Sequence, residues 1–188
     1  MAIAPSPAMM GAVHRAMTGF RRDDDGAWVA ELSCLHSQHI RHEPPFWQAA
    51  WIEDDEERAR RIGEPLDCPL CDRAELPDGL RPARTTATWD ASTVPAALGR
   101  AHRVAAGTWG LLEVEAGEVR FLADTHPPLD TVVTSDRGQP IPPELDHHIE
   151  PSKGARFHVT FLVPSYQPAD QGGEPACVVH LHEDDQRF

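Results

Sequence analysis

The sequence predicts a mainly β protein: a sandwich or barrel of short strands preceded by a small α+β module clamped by a metal ion. Three observations predict it. Beyond residue 85, apolar and polar residues alternate in short runs broken by Gly and Pro. Upstream of residue 74, cysteine and histidine cluster in two half-sites. The 18 prolines and 13 glycines among 188 residues disfavour long helices. A chain of this length buries about 70% of its unfolded surface, enough for a real core. Lys and Arg number 17 against 30 Asp and Glu, a net charge of -13. That sign argues against nucleic-acid binding, which relies on basic side chains displacing counterions from phosphates. No apolar run approaches the roughly 20 residues that cross a bilayer. Met1 to Met17 carries Pro5 and Pro7 and no basic segment before an apolar stretch, so it does not read as a signal peptide. The expectation is a soluble, cytoplasmic protein.

Taken in order, residues 1–17 read as a flexible tail, in which Met9, Met10, Val13 and Met17 form at most a short amphipathic turn. Phe20 to Cys34 reads as a hairpin turning on Asp23-Asp24-Asp25-Gly26. Its acidic triplet is a solvated turn before it is a cation site. Glu53 to Ile62 is the clearest helix: acids lead, arginines follow, and Gly63 ends it. Asp54–Arg58, Glu56–Arg60 and Glu57–Arg61 are i, i+4 pairs, each giving about 0.3 kcal/mol, so the helix reads as a solvated span between the two half-sites. A turn-rich boundary follows near residue 74, through Leu76-Pro77-Asp78-Gly79. Strands are then expected at Ala87–Trp89, Gly107–Ala116, Glu118–Ala123, Thr131–Thr134 and Gly154–Val163. Leu112 and Val114 alternate with Glu113 and Glu115, and Val119, Phe121 and Ala123 with Glu118, Arg120 and Leu122. Phe157, Val159, Phe161 and Val163 alternate with His158, Thr160 and Leu162. Gln167 to Pro175 has linker composition, and Ala176 to His182, with His180 and His182 on one face, could add a last strand. The predicted organisation is a tail (1–17), a Cys/His domain (18–75), a β domain (76–165) and a C-terminal extension (166–188).

The cysteines are Cys34, Cys68, Cys71 and Cys177. The two-residue gap in Cys68-Pro-Leu-Cys71 lets both thiolates reach one ion, and Cys34-Leu-His36-Ser-Gln-His39 supplies the other half. Cys34, His36, Cys68 and Cys71 are therefore the expected ligands of a closed structural zinc site, with His39 the alternative imidazole and His42 a third at the same spacing. The competing reading packs Cys34 as a small hydrophobe and makes Cys68 and Cys71 a redox pair. Against it, the second half-site runs into a turn and not into the helix a thioredoxin-like motif needs.

From Gly19-Phe20 through Gly26-Ala-Trp28-Val29-Ala30-Glu31-Leu32-Ser-Cys34-Leu-His36-Ser-Gln38-His39-Ile-Arg41-His42-Glu-Pro44-Pro45-Phe46 to Cys68-Pro69-Leu70-Cys71, the chain resembles a small bacterial domain of uncharacterised function. The resemblance implies cysteine and histidine metal binding. One residue departs from the pattern: Leu35 stands where the family has glycine.

Downstream, His102 precedes Gly107-Thr108-Trp109-Gly110, and Pro142-Pro143-Glu144 precedes His147 and His148. Against the general second cupin motif, Pro142 is in register with His147, but Glu144 replaces a glycine and Pro151 an asparagine. With Leu76-Pro77, Thr93-Val94-Pro95, Val114, Gly117, Ile149-Glu150-Pro151, Phe157, Val159 and Phe161, these residues resemble the TehB/YeaR-like cupins named for tellurite-resistance proteins. The resemblance implies a double-stranded β-helix with a small metal or ligand pocket, marked by His102 and His147, with His158 as a third candidate. Imidazoles suit zinc, iron, copper or nickel, so the divalent metal in the barrel stays unidentified. No nucleophile–base pair stands out, and whether the protein is an enzyme is left open. The expected function is a metal-binding, stress-response-type protein whose barrel takes a small molecule or an oxyanion. A metal-dependent cupin enzyme acting on a small polar substrate is the alternative. Neither membrane nor nucleic acid is an expected partner; a homodimer or a protein partner is left open.

Overall fold

A computed structural model of the protein describes residues 12–40 and 47–165. Expectations for Met9, Met10, His42, Cys177, His180, His182 and the 166–188 extension fall outside the described residues. Strands β1 (His14–Arg22) and β2 (Trp28–Leu32) form the expected hairpin. The Asp23 carboxylate accepts the Asp25 and Ala27 amides at 3.1 and 2.8 Å and so holds the turn. Two short strands, β3 (Ser37–His39) and β4 (Pro65–Asp67), complete a sheet in the order β3-β2-β1-β4. The tail expected over 1–17 is corrected from His14 onward: His14 to Ala16 pair with β4, and Arg15 and Met17 are buried.

Trp47–Glu53 is a kinked 3-10 stretch, and α1 (Asp55–Arg61) follows it. The helix starts later than its charge pattern suggests because Asp54 is its cap, accepting the Glu56 and Glu57 amides at 2.9 and 3.0 Å. Of the expected pairs, Glu56–Arg60 forms at 3.1 Å. Arg58 instead pairs with Asp55 and lies 4.1 Å over the Trp28 ring, which Arg22 covers at 4.4 Å; Arg61 lies 4.3 Å over Trp51. The Arg58–Trp28 contact fastens the helix to the hairpin, and Arg61–Trp51 fastens it to the 3-10 stretch. A single turn, α2 (Pro69–Asp72), opens on Pro69, whose missing N–H is no loss at that position.

The remainder is all β: β5 (Leu80–Thr85), β6 (Trp89–Asp90), β7 (Trp109–Ala116), β8 (Val119–Ala123), β9 (Leu129–Val133), β10 (Gln139–Ile141), β11 (His147–Pro151) and β12 (Arg156–Pro164). They build one antiparallel sheet in the order β10-β7-β12-β5, with β6 on the end of β12, and a second in the order β11-β8-β9. Leu80–Thr85, where no strand was expected, is thus a strand, and the strand expected at Ala87–Trp89 is displaced to Trp89–Asp90. The alternation read for Leu112–Val114 and Val119–Ala123 holds, with the apolar members buried. On β12 it fails after Val159, where Thr160 and Leu162 are buried too. The cause is a covered outer face: Leu162 lies in register with the fully buried Trp109, and the strand shifts register against β5 at Phe161/Leu162. Between β7 and β8, Gly117 is required: its φ is +69°, and a Cβ would meet the Ala155 Cα at 2.8 Å. One cluster of buried side chains runs from Met17, Leu32 and Cys34 through Trp109 to Leu112, Phe121 and Phe157, so the two parts share a core.

Candidate metal centre and cavity

Cys34 and His36 leave the end of β2 on a tight turn, in which Leu35 N donates to Leu32 O at 2.8 Å and Leu32 N to His36 O at 2.9 Å. Leu35 takes φ 73°, the left-handed conformation for which glycine is the usual residue. The turn therefore keeps its shape without the glycine, at a backbone cost of about 1–2 kcal/mol. Cys68 caps α2 and Cys71 lies within it, so one helical turn presents both sulfurs to the same point.

The four donor atoms converge. Cys34 Sγ lies 3.8 Å from Cys68 Sγ, and His36 Nδ1 lies 3.5, 3.4 and 3.7 Å from the sulfurs of Cys34, Cys68 and Cys71. A tetrahedral ion with bonds of about 2.3 Å to sulfur and 2.0–2.1 Å to nitrogen requires edges of about 3.8 Å between sulfurs and 3.5 Å between sulfur and nitrogen. The donor set fits zinc in both type and spacing. All four residues are buried, and the three cysteines are free thiols. Cys34 and Cys68, with burial, drive the Cys71 thiol far above its usual range, so three adjacent thiolates coexist here only around a cation. Burial opposes a charge on His36, but the sulfurs of Cys34 and Cys68 outweigh it and raise the imidazole to about 9. His39, the alternative ligand, is not brought to the cluster: its Nε2 meets Asp23 Oδ2 at 2.7 Å on the exposed side of the hairpin.

Three residues that sequence reasoning did not assign hold this centre. Trp109, at the start of β7, donates Nε1–H to Cys34 O at 2.9 Å and sets its ring edge-on to His36 at 5.4 Å. Arg15 on β1 donates Nε–H to Cys71 Sγ at 3.3 Å. Asp72 adds a third tie, its Oδ1 accepting the amides of Val13 at 3.1 Å and His126 at 2.9 Å. Trp109 stood in a recognised motif, but nothing in that motif pointed toward residue 34; Arg15 fell within the supposed tail.

In the β part, His102 and His147 face each other across an isolated antiparallel bridge, with both backbone N–H···O distances 3.0 Å and ring centroids 4.1 Å apart. Their Nδ1 atoms donate to Arg100 O at 3.0 Å and Leu145 O at 2.8 Å. A carbonyl only accepts, so each Nδ1 carries its proton and Nε2 is the nitrogen left for another partner. Burial, reinforced by the neighbouring His102, lowers His147 to about 4 and keeps it neutral. Both rings line a cavity of about 360 Å³ walled by Trp89, Leu98, Ile141, Val159 and Phe161. Arg84 also lines it, its guanidinium 5.3 Å over the Phe161 ring. His158, the third candidate, is not placed with this pair. Phe157 and Val159 point into the core, so His158 points out, between Glu113 at 3.2 Å and Glu115 at 3.3 Å.

Comparison with known proteins matches the two parts separately. Residues 18–75 match a family described as a protein of unknown function, DUF3565, and residues 84–159 match the TehB-like domain. Among solved structures, a protein from E. coli (strain K12) is 24% identical with a TM-score of 0.44, over 48% of this chain and 96% of that one. TehB from Haemophilus influenzae is 21% identical with a TM-score of 0.43, over 46% of this chain and 32% of its own. The chain thus spans about a third of the length of TehB. No curated protein matches it. Among the described residues, no helix is long and apolar enough to cross a membrane.

Proposed function

We propose that the protein is a zinc-stapled, cytoplasmic binding protein of tellurite-resistance-like type, whose β part is a cupin barrel that takes a small molecule or oxyanion. The observation that carries this reading is the imidazole pair in the cavity, with both Nδ1 atoms committed to backbone carbonyls and Nε2 left to a ligand. The TehB-like match over residues 84–159 supports the same class of function. Zinc held by Cys34, His36, Cys68 and Cys71 would supply a structural cross-link, and the four closed donors favour that role over a water-bearing centre.

The residues restrict the ligand. A neutral His147 Nε2 accepts hydrogen bonds and repels a bare anion. Arg84 supplies the positive charge. A partly protonated oxyanion satisfies both, its O–H donated to imidazole and its charged oxygen held by guanidinium. Apolar walls around Leu98, Val159 and Phe161 keep water from competing. A second reading, a metal-dependent enzyme, rests on the same two Nε2 atoms, which would leave a bound transition metal with open positions.

Elemental analysis together with ligand-induced melting shifts tests the proposal. One zinc per chain is expected, unchanged in a His102→Ala/His147→Ala variant, with a melting shift from tellurite or selenite that His147→Ala and Arg84→Ala both abolish. No shift with any oxyanion overturns the oxyanion reading. A second metal that disappears in the double variant establishes the enzyme-type alternative.

A further inference from the structure

We infer that Arg15 is the counter-ion of the metal centre and tunes it for divalent ions. This rests on the zinc reading above. Arg15 is only 6% exposed, although arginine is seldom buried without a partner. Among the described residues no carboxylate pairs with it, and its Nη2 is buried without a hydrogen bond. Among the described residues the one polar contact of its side chain is the Cys71 sulfur, 3.3 Å from Nε. A buried guanidinium that meets no anion but a metal-ligating sulfur has its charge matched to that site.

The charges add up simply. Three thiolates and one neutral imidazole around a dication leave a buried charge of minus one, which the guanidinium cancels. A monovalent ion in the same donor set leaves the whole assembly at minus one, and a trivalent ion leaves it at plus one. Because uncompensated charge is costly in a buried site, Arg15 favours dications on both sides. The placement follows from the fold: β1 lies between β2 and β4, next to the strands that lead into the two half-sites. Nε donation also draws electron density from the Cys71 thiolate, which slows its attack on electrophiles.

The test uses the full chain, with Arg15→Met to remove the charge and Arg15→Lys to restore it. Zinc affinity is measured by competition with a chromophoric chelator at fixed pH. Arsenite is the second probe: As(OH)3 condenses with three thiols, forming three As–S bonds and releasing three waters without electron transfer, and the product is neutral. We expect Arg15→Met to weaken zinc binding about 10–100-fold, the usual effect of removing a partner of a metal ligand. Arg15→Lys should recover most of that loss, and Arg15→Met should bind arsenite at least as well as the parent, showing that the three sulfurs still converge. Parent-like zinc affinity in Arg15→Met overturns the inference. So does a parallel loss of zinc and arsenite, which would make Arg15 a packing residue. A parent protein that binds no zinc overturns the metal reading itself and this inference with it.

Discussion

Trp109→Phe tests whether the metal centre and the β part form one cooperative structure. The substitution keeps an aromatic ring but deletes the Nε1–H that meets Cys34 O at 2.9 Å, in a residue with no exposed surface. Leaving that buried carbonyl without its donor costs about 1–3 kcal/mol. Shrinking indole to phenyl opens roughly 40 Å³, which at about 24 cal/mol per Å³ adds about 1 kcal/mol. The sum, about 2–4 kcal/mol, corresponds to a melting temperature lower by about 4–15 °C for a chain of this length. Thermal unfolding followed by circular dichroism and calorimetry, with zinc and with a chelator, measures it. In the parent, one transition is expected in zinc, and chelation should lower it as a whole, because an ion bound only by the folded state stabilises everything that folds with it. In Trp109→Phe the zinc-loaded transition should fall and the additional shift on chelation should shrink. A variant melting within about 1 °C of the parent would refute the tie through Trp109. A β transition untouched by chelation would refute the shared core.

Gly117→Ala should destabilise the protein by at least about 2 kcal/mol in urea unfolding, since the new Cβ has left-handed backbone beneath it and the Ala155 Cα at 2.8 Å. His36→Ala should lower the zinc affinity sharply, whereas His39→Ala should leave both affinity and stoichiometry unchanged, because His39 pairs with Asp23 on the exposed side of the hairpin, away from the cluster; chelator competition separates the two. Acid should weaken the fold through His147, whose imidazole is lowered to about 4 in the folded state against about 6.5 unfolded. The unfolded chain then binds the extra proton, so the stability is intact above about pH 6.5 and up to about 3 kcal/mol is lost as the pH falls to about 4. His147→Gln should flatten that part of the pH profile, and a profile identical to the parent's would remove His147 as the cause.

The readable parts of this sequence were those with strong local chemistry. Cys34, His36, Cys68 and Cys71 could be paired from spacing, and the donors do converge. The central strands announced themselves because Leu112, Val114, Val119 and Phe121 each need one buried face. The strand β5 did not, for a physical reason: Leu80-Arg-Pro-Ala-Arg-Thr is an edge strand, largely exposed, and tolerates proline where a central strand would not. The strand β10, with Pro140 at its middle, is the opposite edge of that sheet and was missed likewise. His158 is a different case. The alternation that buries Phe157 and Val159 already sends His158 outward, so its side was legible even though it was proposed for the pocket.

Leu35, Arg15 and Trp109 together explain why the metal centre is closed. The left-handed Leu35 turns Cys34 and His36 inward at a backbone cost that a loose turn would avoid. Arg15 stands beside Cys71 from one strand, and Trp109 covers His36 and the Cys34 carbonyl from another. The residue before Trp109, Thr108, lines the cavity that holds His102 and His147, so a single stretch of chain touches both sites. With all four donors buried, little room remains around the ion for water or substrate, while the imidazoles of the cavity keep a nitrogen free. On the proposed reading an incoming molecule meets the cavity, and an ion held by the four donors would anchor the start of β7, next to the Thr108 that lines it.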